Sequence, residues 1–245
     1  MRSTPGRLSA ADRRDLTSAA RIREAAILRF ARDGFDASLR TIAADAGVSG
    51  ALIVHYFGSK KDLRRACDEW VLGQIRDSKR TTLATGDSGP WLAQLGRAEQ
   101  YAPLAVYVAR TFQAGGESAA EFFDHLVDDV VDYLAEGERN GLIRPSRDNR
   151  ARARLLTGMS VGSMLLQMTL HPELLRGGDF TGFFRHLTET VTAPALELYS
   201  EGLLTSRKLL DDYLMYVPDP PAGAGGGESA APLPDPEPAY PRTQS

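Results

Sequence analysis

Residues 38–63 read SLRTIAADAGVSGALIVHYFGSKKDL, and the fold of the chain turns on them. Ser38 and Ser49 suit helix N-caps, because a serine hydroxyl accepts an N–H bond that a helix start leaves open. Gly47 supplies the backbone freedom that a tight turn of three to four residues requires. The stretch therefore reads as a short helix at 39–46, a turn and a second short helix at 50–56. Ser59 opens a third helix at 60–80, and Asp62 stands at the third position of a capping-box-like pair. Ala43 and Ala46 are small and let the two short helices cross closely. Val48, Ile53 and Phe57 are the apolar pegs that fix the second helix against the first and against residues 22–30. A helix-turn-helix of this kind places its second helix to enter a DNA major groove.

Outward from that stretch the period is helical nearly everywhere. Residues 17–33 carry Ile22, Ala25, Ala26, Leu28 and Phe30 at three- and four-residue steps, and Gly34 follows as a C′ residue. Shorter helices are expected at 91–101 and 103–114, divided by Pro103. Residues 119–139 show an apolar face around Phe123, Leu126, Val130 and Leu134, with Asp124, Asp128, Asp129 and Asp132 read as a solvated face. Residues 149–170 and 180–203 are long and apolar on more than one side, and Pro194 should kink the second or start a new turn there. Residues 206–216 form a last short amphipathic segment. No strand alternation or hairpin signal is present, so the expected class is all-α.

The chain has 245 residues, with 29 Lys+Arg against 32 Asp+Glu and a net charge of -3. That average hides an asymmetry. Residues 1–80 hold 16 basic and 10 acidic side chains, a net of +6, whereas residues 81–245 hold 13 and 22, a net of -9. A basic end on an acidic remainder suggests an anionic partner at one end only. The single cysteine, Cys67, excludes a disulfide framework, and the four histidines lack metal-ligand spacing, so no metal or cofactor is expected. No apolar run approaches a membrane span, and the N-terminus has no secretory signal pattern, so the expected compartment is the cytoplasm. Residues 1–16, with Arg2, Arg7, Arg13 and Arg14, read as a flexible basic arm. Residues 17–65 read as the helix-turn-helix domain and 66–217 as a second helical domain. Residues 218–245 contain eight of the 14 prolines and read as a disordered tail.

The motif resembles that of the TetR family of transcriptional regulators. The residues that carry the resemblance are Ile42-Ala43, Ala46-Gly47-Val48-Ser49, Tyr56-Phe57, and Ser59-Lys60 with Leu63. Ile22, Ala25-Ala26, Phe30 and Gly34-Phe35 fit the preceding helix. Asn140-Gly141-Leu142-Ile143-Arg144-Pro145 is a turn of the kind the family often has before its dimerisation helices. The close match covers about residues 20–65. Three departures stand out: Ala51 where a glycine is usual, Val54 where a phosphate-touching tyrosine is usual, and a link from Gly34 to Ile42 one residue short.

The resemblance implies a homodimer on a palindromic double-stranded DNA operator. On a helical wheel Ile53 and Phe57 point into the domain, Ala51, Leu52 and His55 point to the groove, and Val54 and Tyr56 lie on the flanks. Only His55 can hydrogen-bond a base edge strongly, while Ala51 and Leu52 suit a thymine methyl. Base reading is thus expected to rest partly on apolar contact and DNA shape, with help from Arg40. Ser49, Gly50 and the other helix-start N–H groups suit a phosphate. Tyr56, Lys60, Arg40 and Thr41 are the remaining backbone contacts expected.

By the same resemblance the second domain binds a small-molecule effector and dimerises. Tyr101, Tyr107, Phe112, Phe122, Met159, Met164 and Met168 suit an apolar pocket, though each also suits plain core. Leu155, Gly158, Gly162, Leu166, Val191, Ala195 and Leu198 are the expected interface residues. The resulting expectation is a repressor released from its operator by a ligand. An activator, or a regulator that answers to a protein partner, remains an alternative within that class. An α-helical enzyme would need a nucleophile–base motif, a phosphate loop or metal spacing, and none is present. An architectural DNA binder would need basic residues spread along the chain.

Overall fold

The computed structural model describes residues 10–85 and 98–216. Among them are ten α-helices and no strand: α1 (Ala10–Asp33), α2 (Leu39–Ala46), α3 (Gly50–Phe57), α4 (Lys60–Thr85) and α5 (Ala98–Ala114). After these come α6 (Gly116–Arg139), α7 (Asn149–Leu170), α8 (Thr181–Leu187), α9 (Ala193–Glu201) and α10 (Lys208–Tyr216). The all-α expectation holds. The chain divides into two units, residues 1–197 and 198–245. In the second, α10 is laced by Arg207–Asp211 at 3.1 Å and Lys208–Asp212 at 2.6 Å, both i,i+4 pairs.

The core of the first unit draws on α1 to α5 and on α8. Ile22, Phe30, Ile42, Ile53, Leu63, Val71, Val106, Tyr107 and Phe183 are all 0% exposed. Full burial of a side chain of this size is worth about 1.5–3 kcal/mol. Phe35 packs between Phe30 and Tyr107, with ring centroids at 5.1 Å and 5.4 Å. A second cluster, Val127, Val130, Leu134 and Ala153, joins α6 to α7.

Several boundaries differ from the expectation, each for a physical reason. α1 starts at Ala10, so residues 10–16 of the expected arm, Arg13 and Arg14 included, are helical. No Gly or Pro interrupts the chain between Gly6 and Gly34, so nothing stops the helix from extending. Arg2 and Arg7 lie outside the described residues, as do the tail at 218–245 and residues 91–97 of the helix expected at 91–101.

Pro103 does not divide α5. Burial of Ala102, Leu104, Val106 and Tyr107 carries the helix through the missing N–H.

The helix expected at 180–203 is instead α8, a π-helical turn over Thr188–Thr192, and α9. Pro194 has no N–H for a helical bond, and the ladder widens by one residue just before it. Thr188 and Thr190 hydroxyls donate to the carbonyls of Phe184 at 2.9 Å and His186 at 2.7 Å, which satisfies acceptors in this stretch. A 3₁₀ turn at Pro172–Gly178, which the periodicity did not signal, links α7 to α8.

The aspartates of α6 are not simply solvated. Asp124 pairs with Arg154 at 3.0 Å, Asp128 with Arg150 at 2.7 Å and Asp129 with Arg76 at 2.7 Å. The first two tie α6 to α7, and the third ties it to α4.

Candidate nucleic-acid interface

Local capping builds the helix-turn-helix as its sequence implies. Ser38 accepts the Thr41 N–H at 3.1 Å, and its hydroxyl shares a 2.8 Å hydrogen bond with the Thr41 hydroxyl. Gly47, at φ 62°, ends α2 in the left-handed region. The Val48 N–H reaches back to the Ala43 carbonyl at 3.0 Å and the Gly47 N–H to Ala44 at 3.2 Å, a Schellman arrangement. One residue later Ser49 accepts the Leu52 N–H at 3.2 Å and starts α3. Ser59 caps α4 by accepting the Asp62 N–H at 3.1 Å, and its hydroxyl donates to the Asp62 carboxylate at 2.5 Å.

The faces of α3 follow from burial. Ile53 is fully buried, while Phe57 and Tyr56 are half-buried against the core. Gly50, Ala51, Val54 and His55 are exposed, and Val54 keeps 49% of its surface. Leu52 is half-buried. The wheel therefore needs one correction: Val54 belongs to the outward face and Leu52 to the flank. The half-burial of Leu52 and Tyr56 beside Ile53 shifts the buried stripe by about one position from a centre placed on Ile53 and Phe57 alone. The His55 ring packs edge-on against Tyr56 at 5.4 Å.

Around this face, Arg40 and Ser49 are exposed, and Thr41 and Lys60 are half-buried. The DNA-contact candidates thus lie on α2, on the Ser49 cap and body of α3, and on the first residue of α4.

Two arginines of α1 that motif reading did not single out for this part hold it from behind. Arg29 makes a bidentate pair with Asp45, both contacts at 2.6 Å, and a further contact to Asp33 at 2.8 Å. That pairing holds the Asp45 carboxyl below the usual carboxylate range. Arg21 donates to the Ala46 carbonyl at 2.8 Å. A sequence signal did exist: an aspartate in the last turn of a helix opposes the helix dipole and asks for a cation.

The chain matches the family model "Bacterial regulatory proteins, tetR family" over residues 22–67 and "Tetracyclin repressor-like, C-terminal domain" over residues 99–205. It is 46% identical over 200 residues to the HTH-type transcriptional regulatory protein RaaS of Mycobacterium tuberculosis, covering 82% of this chain and 93% of that one.

The chain belongs to the TetR family of bacterial transcriptional regulators.

It is also 45% identical over 56 residues to the HTH-type transcriptional dual regulator CecR of Shigella flexneri, covering 23% of this chain and 25% of that one. The fold resembles the solved fatty acid degradation regulator FadR of Bacillus halodurans, with a TM-score of 0.51 at 21% identity over 76% of this chain and 99% of the other. The protein is thus a DNA-binding regulator with a helix-turn-helix head, in a family that is not enzymatic.

In the C-terminal half of this TetR-family chain, the aromatic and sulfur side chains fall into different places. Tyr107 is fully buried, and its hydroxyl donates to Asp68 at 2.7 Å. Phe112 packs edge-on against Phe122 at 6.0 Å and Phe123 at 6.2 Å. Met168 is buried, and Met164 and Tyr101 are half-buried against the same core. Met159 departs from the group, because it is 40% exposed on α7. It shares its side of the helix with Leu155 and Leu166, 64% and 54% exposed, and with the exposed Gly158 and Gly162. Val191 and Ala195 are half-buried, and Leu198 is exposed. His186 bonds Gln167 at 2.9 Å and meets the His171 ring at 4.4 Å. Among the described residues no group of His, Cys, Asp or Glu could hold a metal, and no helix is long and apolar enough to cross a membrane.

Proposed function

We propose that this regulator is a homodimeric repressor that leaves a palindromic operator when a small molecule binds its helical C-terminal half. The observation that carries the dimer is the outward stripe of α7. Leu155, Met159, Leu166 and Leu170 recur at four- and seven-residue steps and stay exposed, with Gly158 and Gly162 between them. Large apolar side chains in a row mark an interaction face, and small residues let two helices approach closely.

On the DNA side, Ser49 and the N-terminal N–H groups of α3 hold one phosphate, and Lys60 and Arg40 supply charge to others. Ala51, Val54 and His55 face the bases. Two such heads on a dimer demand two half-sites about one helical turn apart, or a multiple of it. Release requires that the effector favour one head arrangement over the other. The links from α5 to α4 and α1 suit that coupling. On α5, Tyr107 bonds Asp68 of α4, and three residues later Arg110 donates to the Ala31 carbonyl of α1 at 3.3 Å.

Selection of bound fragments from random DNA, paired with sedimentation of the free protein, tests the reading. A single enriched palindrome and a dimer at micromolar concentration are expected. A monomer that binds one asymmetric site refutes it. A small-molecule screen on the selected operator then tests release.

A further inference from the structure

The geometry points to Arg29 and Asp45, with Arg21 beside them, as positioning residues for DNA recognition: they clamp the carboxyl end of α2 to α1 and so set the direction in which α3 leaves the turn. This inference rests on DNA binding by the helix-turn-helix and not on the repressor reading.

Basic residues in a DNA-binding head are ordinarily assigned to phosphates. All three nitrogens of Arg29 are already engaged. Nε and Nη2 hold the two Asp45 oxygens at 2.6 Å each, and Nη1 holds Asp33 at 2.8 Å. Its side chain is only 17% exposed. A phosphate would have to compete for a guanidinium held in a bidentate pair, which is among the stronger charge-assisted arrangements.

The position of the pair matters more than its strength. Asp45 and Ala46 are the last two residues of α2, and α3 begins four residues after Ala46, at Gly50. The backbone bonds of the turn use the carbonyls of Ala43 and Ala44. The Ala46 carbonyl, two residues further, is taken by Arg21. Arg21 and Arg29 are eight residues apart, so they stand on the same side of α1 a little over two turns apart. Together they grip the end of α2 from a helix whose Ile22, Ala26 and Phe30 are buried in the core. The turn is thereby tied to the body of the protein at the point where a small rotation would swing Ala51, Val54 and His55 across the groove.

The test measures the full-length chain on its selected operator and on random DNA of equal length, across a range of salt. Arg29→Ala and Asp45→Asn are each expected to lower operator affinity on the order of tenfold, as for members of one hydrogen-bonded pair. Random-DNA affinity and the salt slope should stay as in the parent protein. The double variant should be no worse than either single. Arg29→Lys should recover part of the loss, because it restores one charge but not the fork. A salt slope shallower by about 0.9, with random-DNA binding weakened in parallel, would instead make Arg29 a phosphate ligand and overturn the inference. Losses that add in the double variant overturn it as well, as does an Asp45→Asn protein with unchanged operator preference. Asp45→Asn is nearly isosteric and carries the test should Arg29→Ala fail to fold, which melting by circular dichroism reports.

Discussion

The Tyr107 hydroxyl donates to the Asp68 carboxylate across 2.7 Å, and this bond ties α5 to α4, the helix that follows the DNA-binding motif. Burial pushes the Asp68 carboxyl above its ordinary range, and the tyrosine bond pulls the other way. Arg64, one turn earlier on α4, stacks over Phe35 at 3.7 Å and lies 3.9 Å from the same carboxylate. The junction is thus a partly buried carboxylate that needs its donor.

Tyr107→Phe removes that donor and leaves the carboxylate underserved. The expected cost is about 1–3 kcal/mol of stability near neutral pH. The sign of its pH dependence follows from the raised pKa. The folded state holds the Asp68 proton more tightly than the unfolded state does, so this group's contribution falls as pH rises from the unfolded pKa through the folded one. Losing the tyrosine bond raises the folded pKa further. The penalty of Tyr107→Phe should therefore be largest at neutral pH and shrink on acidification, as urea unfolding at several pH values will show. A penalty that is flat with pH would mean that the bond does not act through Asp68.

Lys60→Ala is expected to weaken binding to all DNA sequences alike and to make the log–log salt slope shallower by about 0.9. His55→Ala should behave oppositely, with the slope kept and discrimination between operator variants reduced. Equal selectivity in the His55→Ala protein would remove that side chain from base reading. Competition binding against a small panel of operator variants separates the two.

Leu155→Arg and Leu166→Glu place charges on the exposed stripe of α7. Both side chains are more than half exposed, so the fold of one protomer should survive with changes within about 0.5 kcal/mol. Self-association should fall sharply, and operator binding with it. Sedimentation alongside operator titration reads both, and an unaltered dimer would move the interface elsewhere.

Gly137→Ala tests the turn that follows α6. A Cβ at Gly137 would lie 2.5 Å from Cδ1 and 2.8 Å from Cγ1 of Ile143, because the chain folds back there through Gly141 at φ 72°. The expected cost is about 1–3 kcal/mol, from displacing Ile143 out of its place against the α6–α7 cluster. Thermal unfolding measures it.

The helix-turn-helix was legible because its signals are local. Ser38 with Thr41, Gly47 with Val48, Ser49 with Leu52 and Ser59 with Asp62 all act within three or four residues, and capping chemistry reads directly from such spacing. The all-α class and the helix at 149–170 follow from periodicity in the same way. What lay opposite each face was not legible. Arg29 meets Asp45 across 16 residues, Tyr107 meets Asp68 across 39, and Arg154 meets Asp124 across 30. A helical period says that a face is polar or apolar and leaves open whether water, a ligand, another helix or a second chain covers it. For the same reason Tyr107, one of several aromatics that suited a pocket equally well, became the joint between α5 and α4, while Met159 turned outward beside Leu155. By itself the sequence determined the local geometry of the DNA-binding motif. Tertiary packing alone decided which of its charges are paired behind the motif and which stay exposed, because that choice depends on how the helices cross and not on the residues within any one of them.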